Sequence, residues 1–172
     1  MKISTIHSIR LKFISVMALL LTAANMTMAQ TGNWSSYKAS GYDSGSGTQS
    51  DPYIIKTAEQ LAYYASRITS QKDQTAYVEL GDHIDLQGHW WVPIGSNDSN
   101  NPNVFKGSFD GKGYFISNMK CDWGAYQNSG LFGFLQGGKV KNIIIEDATF
   151  TARSMISSGA RRMGVEIGRA HV

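Results

Sequence analysis

The sequence predicts an all-β fold, a stacked β-solenoid with a small α-helical cap at its N-terminal end. The first observation is a repeat with an offset of 24 residues, in which a glycine, a β-branched residue and an asparagine recur: Gly113, Ile116, Asn118 and Gly137, Val140, Asn142. The second is that short apolar strand patterns follow a single helical pattern along the chain. One such repeat cannot bury its apolar face alone, so the pattern predicts a stack of turns.

The repeat also predicts the position of its side chains. We expect Ile116, Val140, Ile143 and Ile145 to point into a narrow aliphatic core. Asn118 and Asn142 should lie above each other at a bend, with their amides bonded to the backbone and to one another. The repeated glycines should mark corners where the backbone needs a positive φ.

Residues 1–29 have the pattern of a signal peptide. Basic residues precede an apolar run over residues 13–24, and Thr27-Met28-Ala29 supplies the small residues that a signal peptidase requires. We expect cleavage between Ala29 and Gln30, and a protein that is secreted or held at the cell surface of a bacterium. No later segment is apolar for long enough to span a membrane.

The net charge of +3 does not describe the mature protein. The leader contributes three basic residues and no acidic residue, whereas Arg169 and Glu166 cancel in the tail. The rest of the chain carries equal numbers of basic and acidic residues. The composition therefore gives no support for nucleic-acid binding through a basic patch.

Three regions follow the leader. Residues 30–49, rich in Gly, Ser and Thr, predict a flexible lead-in. Residues 50–95 predict the N-terminal cap with one helix and the first strands, because Thr57 and Gln60 form a capping-box pattern before an apolar helical face. Residues 96–153 predict the turns of the solenoid.

The last seven residues, 166–172, back-translate to a nucleotide string that resembles a common short-read sequencing adapter. We interpret them as an artefact, and we leave residues 154–165 unassigned because the strand pattern stops before them. We therefore expect the chain to be the N-terminal piece of a longer protein. Its last strands would then expose an unpaired edge.

Several motifs resemble those of GLUG-motif proteins: Phe105-Lys-Gly-Ser-Phe-Asp-Gly-Lys-Gly113, Ile116-Ser-Asn-Met119, Gly130-Leu-Phe-Gly133 and Gly138-Lys-Val-Lys-Asn-Ile143. These are exported, repeat-rich bacterial surface proteins, some adhesin-like and some associated with peptidase domains. The resemblance implies a right-handed parallel β-helix. Only one full GLUG repeat is present here, whereas members of the family carry several.

The sequence predicts no catalytic residue, no metal site and no cofactor. Asp82, Asp85 and Asp110 lie near strands, but Asp-Gly is the ordinary composition of a tight turn. The histidines match no zinc-binding spacing. The lone Cys121 has no partner for an internal disulfide and is expected to be a small packing residue.

Aromatic side chains are the best candidates for ligand contact, because flat aromatic faces beside polar loops suit sugar rings. We select Trp123, Tyr126 and Trp90, and we expect Trp91 to pack the cap against the first strands. The expected partner is a glycan or a host surface protein. If the site binds glycan, Trp123→Ala should abolish saturable binding.

The sequence thus favours a non-catalytic, exported surface module with adhesin-like binding. The alternative is the N-terminal repeat region of a secreted peptidase or polysaccharide-degrading enzyme, with its catalytic domain outside this sequence. A third possibility is a spacer stalk that binds nothing.

Overall fold

The computed structural model describes residues 32–96, 103–122 and 128–151. All of them belong to the second of the two units into which the chain divides, Thr31–Val172, and the description concerns that unit alone. The predicted leader, the tail and the ligand candidates Trp123 and Tyr126 lie outside the described residues.

The described residues form one α-helix, one 3₁₀ helix and nine short strands. The elements are the 3₁₀ helix Trp34–Ser36, α1 Ala58–Thr69, β1 Tyr53–Ile55, β2 Tyr77–Leu80, β3 Ile84–Asp85, β4 Ser108–Asp110, β5 Phe115–Ser117, β6 Lys120–Asp122, β7 Lys139–Lys141, β8 Ile144–Glu146 and β9 Thr149–Thr151. The strands form three sheets, with the orders β1-β2-β4-β7, β3-β5-β8 and β6-β9.

Every pair of these strands is parallel. The second sheet contains one row of isoleucines, in which Ile84 pairs with Ile116 and Ile116 pairs with Ile145. Parallel neighbours cannot be joined by a tight hairpin. The chain therefore passes through α1 between β1 and β2, and through the other sheets between the later strands of one sheet.

The predicted all-β solenoid is wrong as a fold class. The described residues have a mixed α and β content, and they contain small parallel sheets but no closed solenoid. The physical reason is the position of α1, which buries six side chains in the same core as the strands: Ala58, Leu61, Ala62, Tyr64, Ala65 and Ile68. The helix is therefore part of the same core as the strands, and this gives the described residues their mixed content.

The start of α1 follows from its capping residues. The Thr57 hydroxyl accepts a hydrogen bond from the Gln60 backbone N–H at 3.3 Å. The Gln60 side chain in turn accepts one from the Lys56 N–H at 2.8 Å. The first contact satisfies a backbone donor that the first turn of a helix leaves free, as the capping-box pattern predicts. The second binds Lys56, one residue before the N-cap Thr57, and so lies outside the helix.

The predicted stacking of the two repeats is wrong. Val140 pairs with Phe109, and Ile116 pairs with Ile145, so the two copies of the motif lie in different sheets. Asn118 and Asn142 share a left-handed backbone, each with φ of 54°, but they do not stack on each other. The repeat in sequence reflects a repeated backbone conformation and not a pair of neighbouring strands.

One end of the core is uncovered among the described residues, and we call it the open layer. It consists of Leu135, Val140, Ile145 and Phe150, whose exposed fractions lie between 36% and 42%. Each pairs with a buried residue of the layer below, respectively Phe105, Phe109, Ile116 and Cys121. Ile116 is thus inside the core as expected and Ile143 packs half-buried against it, whereas Val140 and Ile145 are exposed.

Two isoleucines of the same row, Ile116 and Ile145, test the difference between the buried layer and the open layer. Ile116→Ala should lower the free energy of unfolding by about 2–5 kcal/mol, because it leaves a cavity in the buried layer. Ile145→Ala, the matched control, should cost about 1 kcal/mol or less in dilute solution, because its side chain is already 40% exposed. Urea denaturation of both variants measures the difference, and equal losses would contradict the division.

Candidate functional site

A cleft of about 240 Å³ lies between the 3₁₀ helix, α1 and the segment that begins at Trp91. We call it the Trp34–Trp91 cleft. The described residues that line it are Trp34, Ser35, Lys38, Ala62, Ala65, Ser66, Thr69, Ser70, Trp91 and Val92.

The two indoles are fixed walls of this cleft. The Trp34 Nε1–H donates to the Leu86 carbonyl at 2.9 Å, and the Trp91 Nε1–H donates to the Leu131 carbonyl at 3.1 Å. Both side chains are almost fully buried, so each polar N–H needs the partner that it has. The Asn33 side chain holds the 3₁₀ helix in place by accepting from the Ser35 N–H at 3.0 Å.

The helix supplies a row of hydroxyl groups to the cleft. Ser66, Thr69 and Ser70 each donate their hydroxyl proton to a backbone carbonyl of the preceding turn, at 2.7, 3.0 and 2.9 Å respectively. Their oxygen lone pairs can still accept hydrogen bonds from a ligand. Their positions i, i+3 and i+4 place all three on the same helical face.

Lys38 adds a positive charge at the exposed rim of the cleft. Within the described part of the chain its ammonium makes no ion pair, since the four salt bridges use Lys56, Arg67, Lys112 and Lys141. The described lining carries no carboxylate, imidazole or thiol. The described lining offers buried apolar side chains, hydroxyl acceptors and one cation.

Trp90 is the one selected ligand residue that the structure describes. It is half-buried and lies between Asn33 and Lys120 in a row of parallel bridges. The Lys120 ammonium lies 4.4 Å from the centre of the indole ring, a cation–π contact. Lys120 thus occupies part of the aromatic surface that we expected a ligand to use.

Asp110 has a structural role in a turn. Its carboxylate accepts from the Lys112 N–H and from the Asn142 side chain, both at 2.9 Å, and lies 3.0 Å from the Lys141 ammonium. Burial alone would raise the pKa of Asp110. The hydrogen bonds from Asn142, Lys112 and Lys141 outweigh burial and lower that pKa below its usual value.

Asp85 accepts the same kinds of hydrogen bond in a similar turn after β3, in another sheet. It accepts from the Gln87 N–H at 2.7 Å and from the Asn118 side chain at 2.8 Å. Lys112 and Gln87, which follow the two aspartates, both have a positive φ. The asparagines of the sequence repeat therefore bond to aspartates and not to each other.

The described residues contain neither a candidate metal site nor a reactive thiol. There, no three His, Cys, Asp or Glu side chains lie close enough together to hold a metal ion. Burial raises the pKa of the Cys121 thiol to about 12, so the side chain is protonated at neutral pH. No helix in the described part of the chain is long and apolar enough to cross a bilayer.

Sequence reasoning found only part of the cleft. Trp91 was expected to pack the cap against the first strands; it is buried in the core and also lines the cleft beside Trp34. Lys38 and the hydroxyl row were missed. The spacing of Ser66, Thr69 and Ser70 on one face of a predicted helix is the signal that could have identified the row.

Two known proteins resemble part of the chain. A protein described as a Gly-rich membrane protein of Evansella cellulosilytica is 32% identical over 108 residues, which are 58% of this chain and 11% of that protein. Halomucin of Haloquadratum walsbyi is 30% identical over 114 residues, which are 62% of this chain and 1% of that protein. The chain thus corresponds to a small part of each relative.

No family model matches the chain. No solved structure matches it either.

The Asp110 turn should make stability depend on pH. The pKa of Asp110 is lower in the folded state than in the unfolded state. The contribution of Asp110 to the free energy of unfolding is therefore fully present above its unfolded-state pKa and is lost as pH falls through its folded-state pKa. Asp110→Asn should cost about 1–3 kcal/mol at neutral pH, and its difference from wild type should shrink in acid. The exposed Asp85→Asn is the matched control and should cost less. Unfolding free energies at several pH values measure this, and a pH-independent difference would contradict it.

The Cys121 thiol should be inert in the native protein. A water-soluble aromatic disulfide should react with it only after unfolding, because the thiol is buried and protonated. The absorbance of the released thiolate, followed with and without urea, measures the rate in each state. Rapid reaction of the folded protein would show that the thiol is accessible.

Proposed function

We propose that the chain is a non-catalytic module of an exported bacterial surface protein, and that it binds a glycan in the Trp34–Trp91 cleft. The observation that carries the proposal is the composition of the cleft. The accessible residues of the lining are mainly polar, with Ser66, Thr69 and Ser70 oxygens as acceptors, and the half-buried Val92 adds apolar surface above the buried Trp34 and Trp91. A sugar ring needs both, because its C–H faces are apolar and its edges carry hydroxyl donors.

The position of Lys38 narrows the class of glycan. An ammonium without an ion pair among the described residues favours a carboxylate, sulfate or phosphate on the ligand. We therefore infer an acidic glycan, such as one that contains uronic acid. The hydroxyl groups lie on α1 and at its C-terminal end, whereas the Lys38 ammonium lies on the segment after the 3₁₀ helix. Contacts to both would orient such a sugar across the cleft.

Export and surface location belong to this proposal. They are supported by the leader pattern of residues 1–29 and by the resemblance to GLUG-motif proteins. The description of one relative as a membrane protein agrees with an association with the cell envelope. The activity of any longer protein that contains this module is a separate question, since the relatives extend far beyond the matched residues.

Calorimetric titration with an oligoglucuronate and with a neutral oligosaccharide of the same length tests the proposal. Lys38→Gln should weaken binding of the acidic glycan by about tenfold, which corresponds to about 1.4 kcal/mol, and should leave the neutral one unchanged. Lys106→Gln, which removes an exposed lysine that does not line the cleft, is the matched control and should have no effect.

A second variant tests the cleft itself. Ser66→Leu should obstruct binding of both sugars, because it places a branched side chain among the lining residues without removing a core contact. If neither sugar binds the wild-type protein, or if binding survives both variants, the cleft is not a glycan site. Circular dichroism of each variant shows whether the fold is retained.

A further inference from the structure

Asp110 and Gly111 form the one Asp-Gly pair in the sequence, and the fold requires the glycine. A Cβ at residue 111 would collide with the Asn142 backbone carbonyl, so the passage of β7 beside β4 admits no larger residue there. Glycine also leaves its own peptide nitrogen unshielded, because it has no side chain. The close contact that the fold needs therefore places an accessible peptide nitrogen directly after a carboxyl group.

An Asp-Gly pair can rearrange without an oxidant, a cofactor or an enzyme. The peptide nitrogen of Gly111 attacks Cγ of Asp110, the N–H proton and the carboxyl hydroxyl leave as water, and a cyclic succinimide forms. Addition of water then reopens the ring at either carbonyl. Opening at the α-carbonyl leaves the main chain running through Cγ, and the product is an isoaspartate.

The folded turn engages both reacting groups in other bonds. The Gly111 N–H donates to the Lys141 carbonyl at 2.9 Å, which ties the nitrogen to the neighbouring strand. The Asp110 carboxylate is held by the Lys112 N–H and the Asn142 side chain, both at 2.9 Å, and by the Lys141 ammonium at 3.0 Å. Although burial alone would raise the pKa of Asp110, these contacts lower it, so the carboxyl group is ionised and lacks the hydroxyl that must leave.

We propose that Asp110-Gly111 is a latent isomerisation site, which the folded turn keeps silent and which becomes reactive when the turn after β4 opens. The product cannot rebuild the turn. The main chain gains one carbon atom between residues 110 and 111, and the remaining carboxylate is attached directly to Cα. The contacts from Lys112, Asn142 and Lys141 then cannot all form again, and the register between β4 and β7 is lost. A transient opening of the turn thereby becomes permanent.

Asp85 provides an internal comparison. Its carboxylate accepts from the Gln87 N–H at 2.7 Å and from the Asn118 side chain at 2.8 Å, but the next residue is Leu86. The branched leucine side chain shields the peptide nitrogen that would attack. In an unfolded chain Asp85 should therefore stay intact while Asp110 isomerises, because the reactivity depends on the following residue and not on the turn.

Incubation of the full chain at neutral pH, folded and in guanidinium chloride, tests the proposal. Peptide mapping with a protein isoaspartate methyltransferase, which methylates the carboxyl group that isomerisation creates, measures the product at each aspartate. Asp110 should isomerise at least about tenfold faster in the unfolded chain, because the folded turn must first open. Leu86→Gly, studied in denaturant where folding is not needed, should make Asp85 isomerise as well.

A pair of asparagine variants tests the protection by the turn. Asn142→Gly keeps a residue that tolerates the left-handed backbone and removes a donor to Asp110, so it should speed isomerisation of the folded protein by about tenfold. Asn118→Gly, the matched control, removes the corresponding donor to Asp85 and should leave the rate at Asp110 unchanged. In denaturant both variants should react at the wild-type rate, and circular dichroism shows whether each is folded without it.

Three results would overturn the proposal. Equal rates at Asp110 in the folded and unfolded wild type would show that the turn gives no protection. Absence of isoaspartate from the unfolded chain would show that the pair is not reactive. Isomerised chains that refold with the wild-type free energy of unfolding would show that the modification does not prevent the turn from forming.

Discussion

The turns after β3 and β4 are the constraint on which the parallel alignment depends, because parallel strands align only if the chain bends at the same place on neighbouring passages. Asp110 fixes one bend by binding the N–H of Lys112, which has a left-handed backbone. The Asn142 side chain then binds the same carboxylate from the next passage. A Cβ at Gly111 would collide with the Asn142 carbonyl, so the close approach also requires glycine. The bend and the register of neighbouring strands are therefore set by one group of contacts.

The helix explains why the core is not that of a repeat alone. α1 turns Leu61, Tyr64 and Ile68 into the space between the strands, and all three are fully buried. A strand pattern predicts which residues point inward, but it does not predict that a helix from the same chain will fill one side. The apolar face of residues 58–69 indicated an amphipathic helix correctly. Its amphipathic character alone could not show that it packs into the same core as the strands.

The predictable parts of this protein are those that depend on local chemistry. Thr57 and Gln60 identify the start of α1 because the capping contact between them lies within one turn. The pairing of Val140 with Phe109 could not be obtained in this way, because the sequence around Gly137 and Asn142 indicates backbone angles but not which aspartate the Asn142 side chain binds. The cleft was hidden for a related reason: its walls come from segments distant in sequence, which only the tertiary fold brings together.

The cleft and the open layer draw on different parts of the core, and their physical character differs accordingly. The indole N–H groups of Trp34 and Trp91 are satisfied by buried carbonyls, so the walls of the cleft are fixed before any ligand arrives. A fixed site loses little conformational entropy on binding. The open layer instead presents strand edges that no described strand covers and whose backbone groups are able to pair with another strand. Small-molecule recognition suits the first surface, and association with polypeptide suits the second.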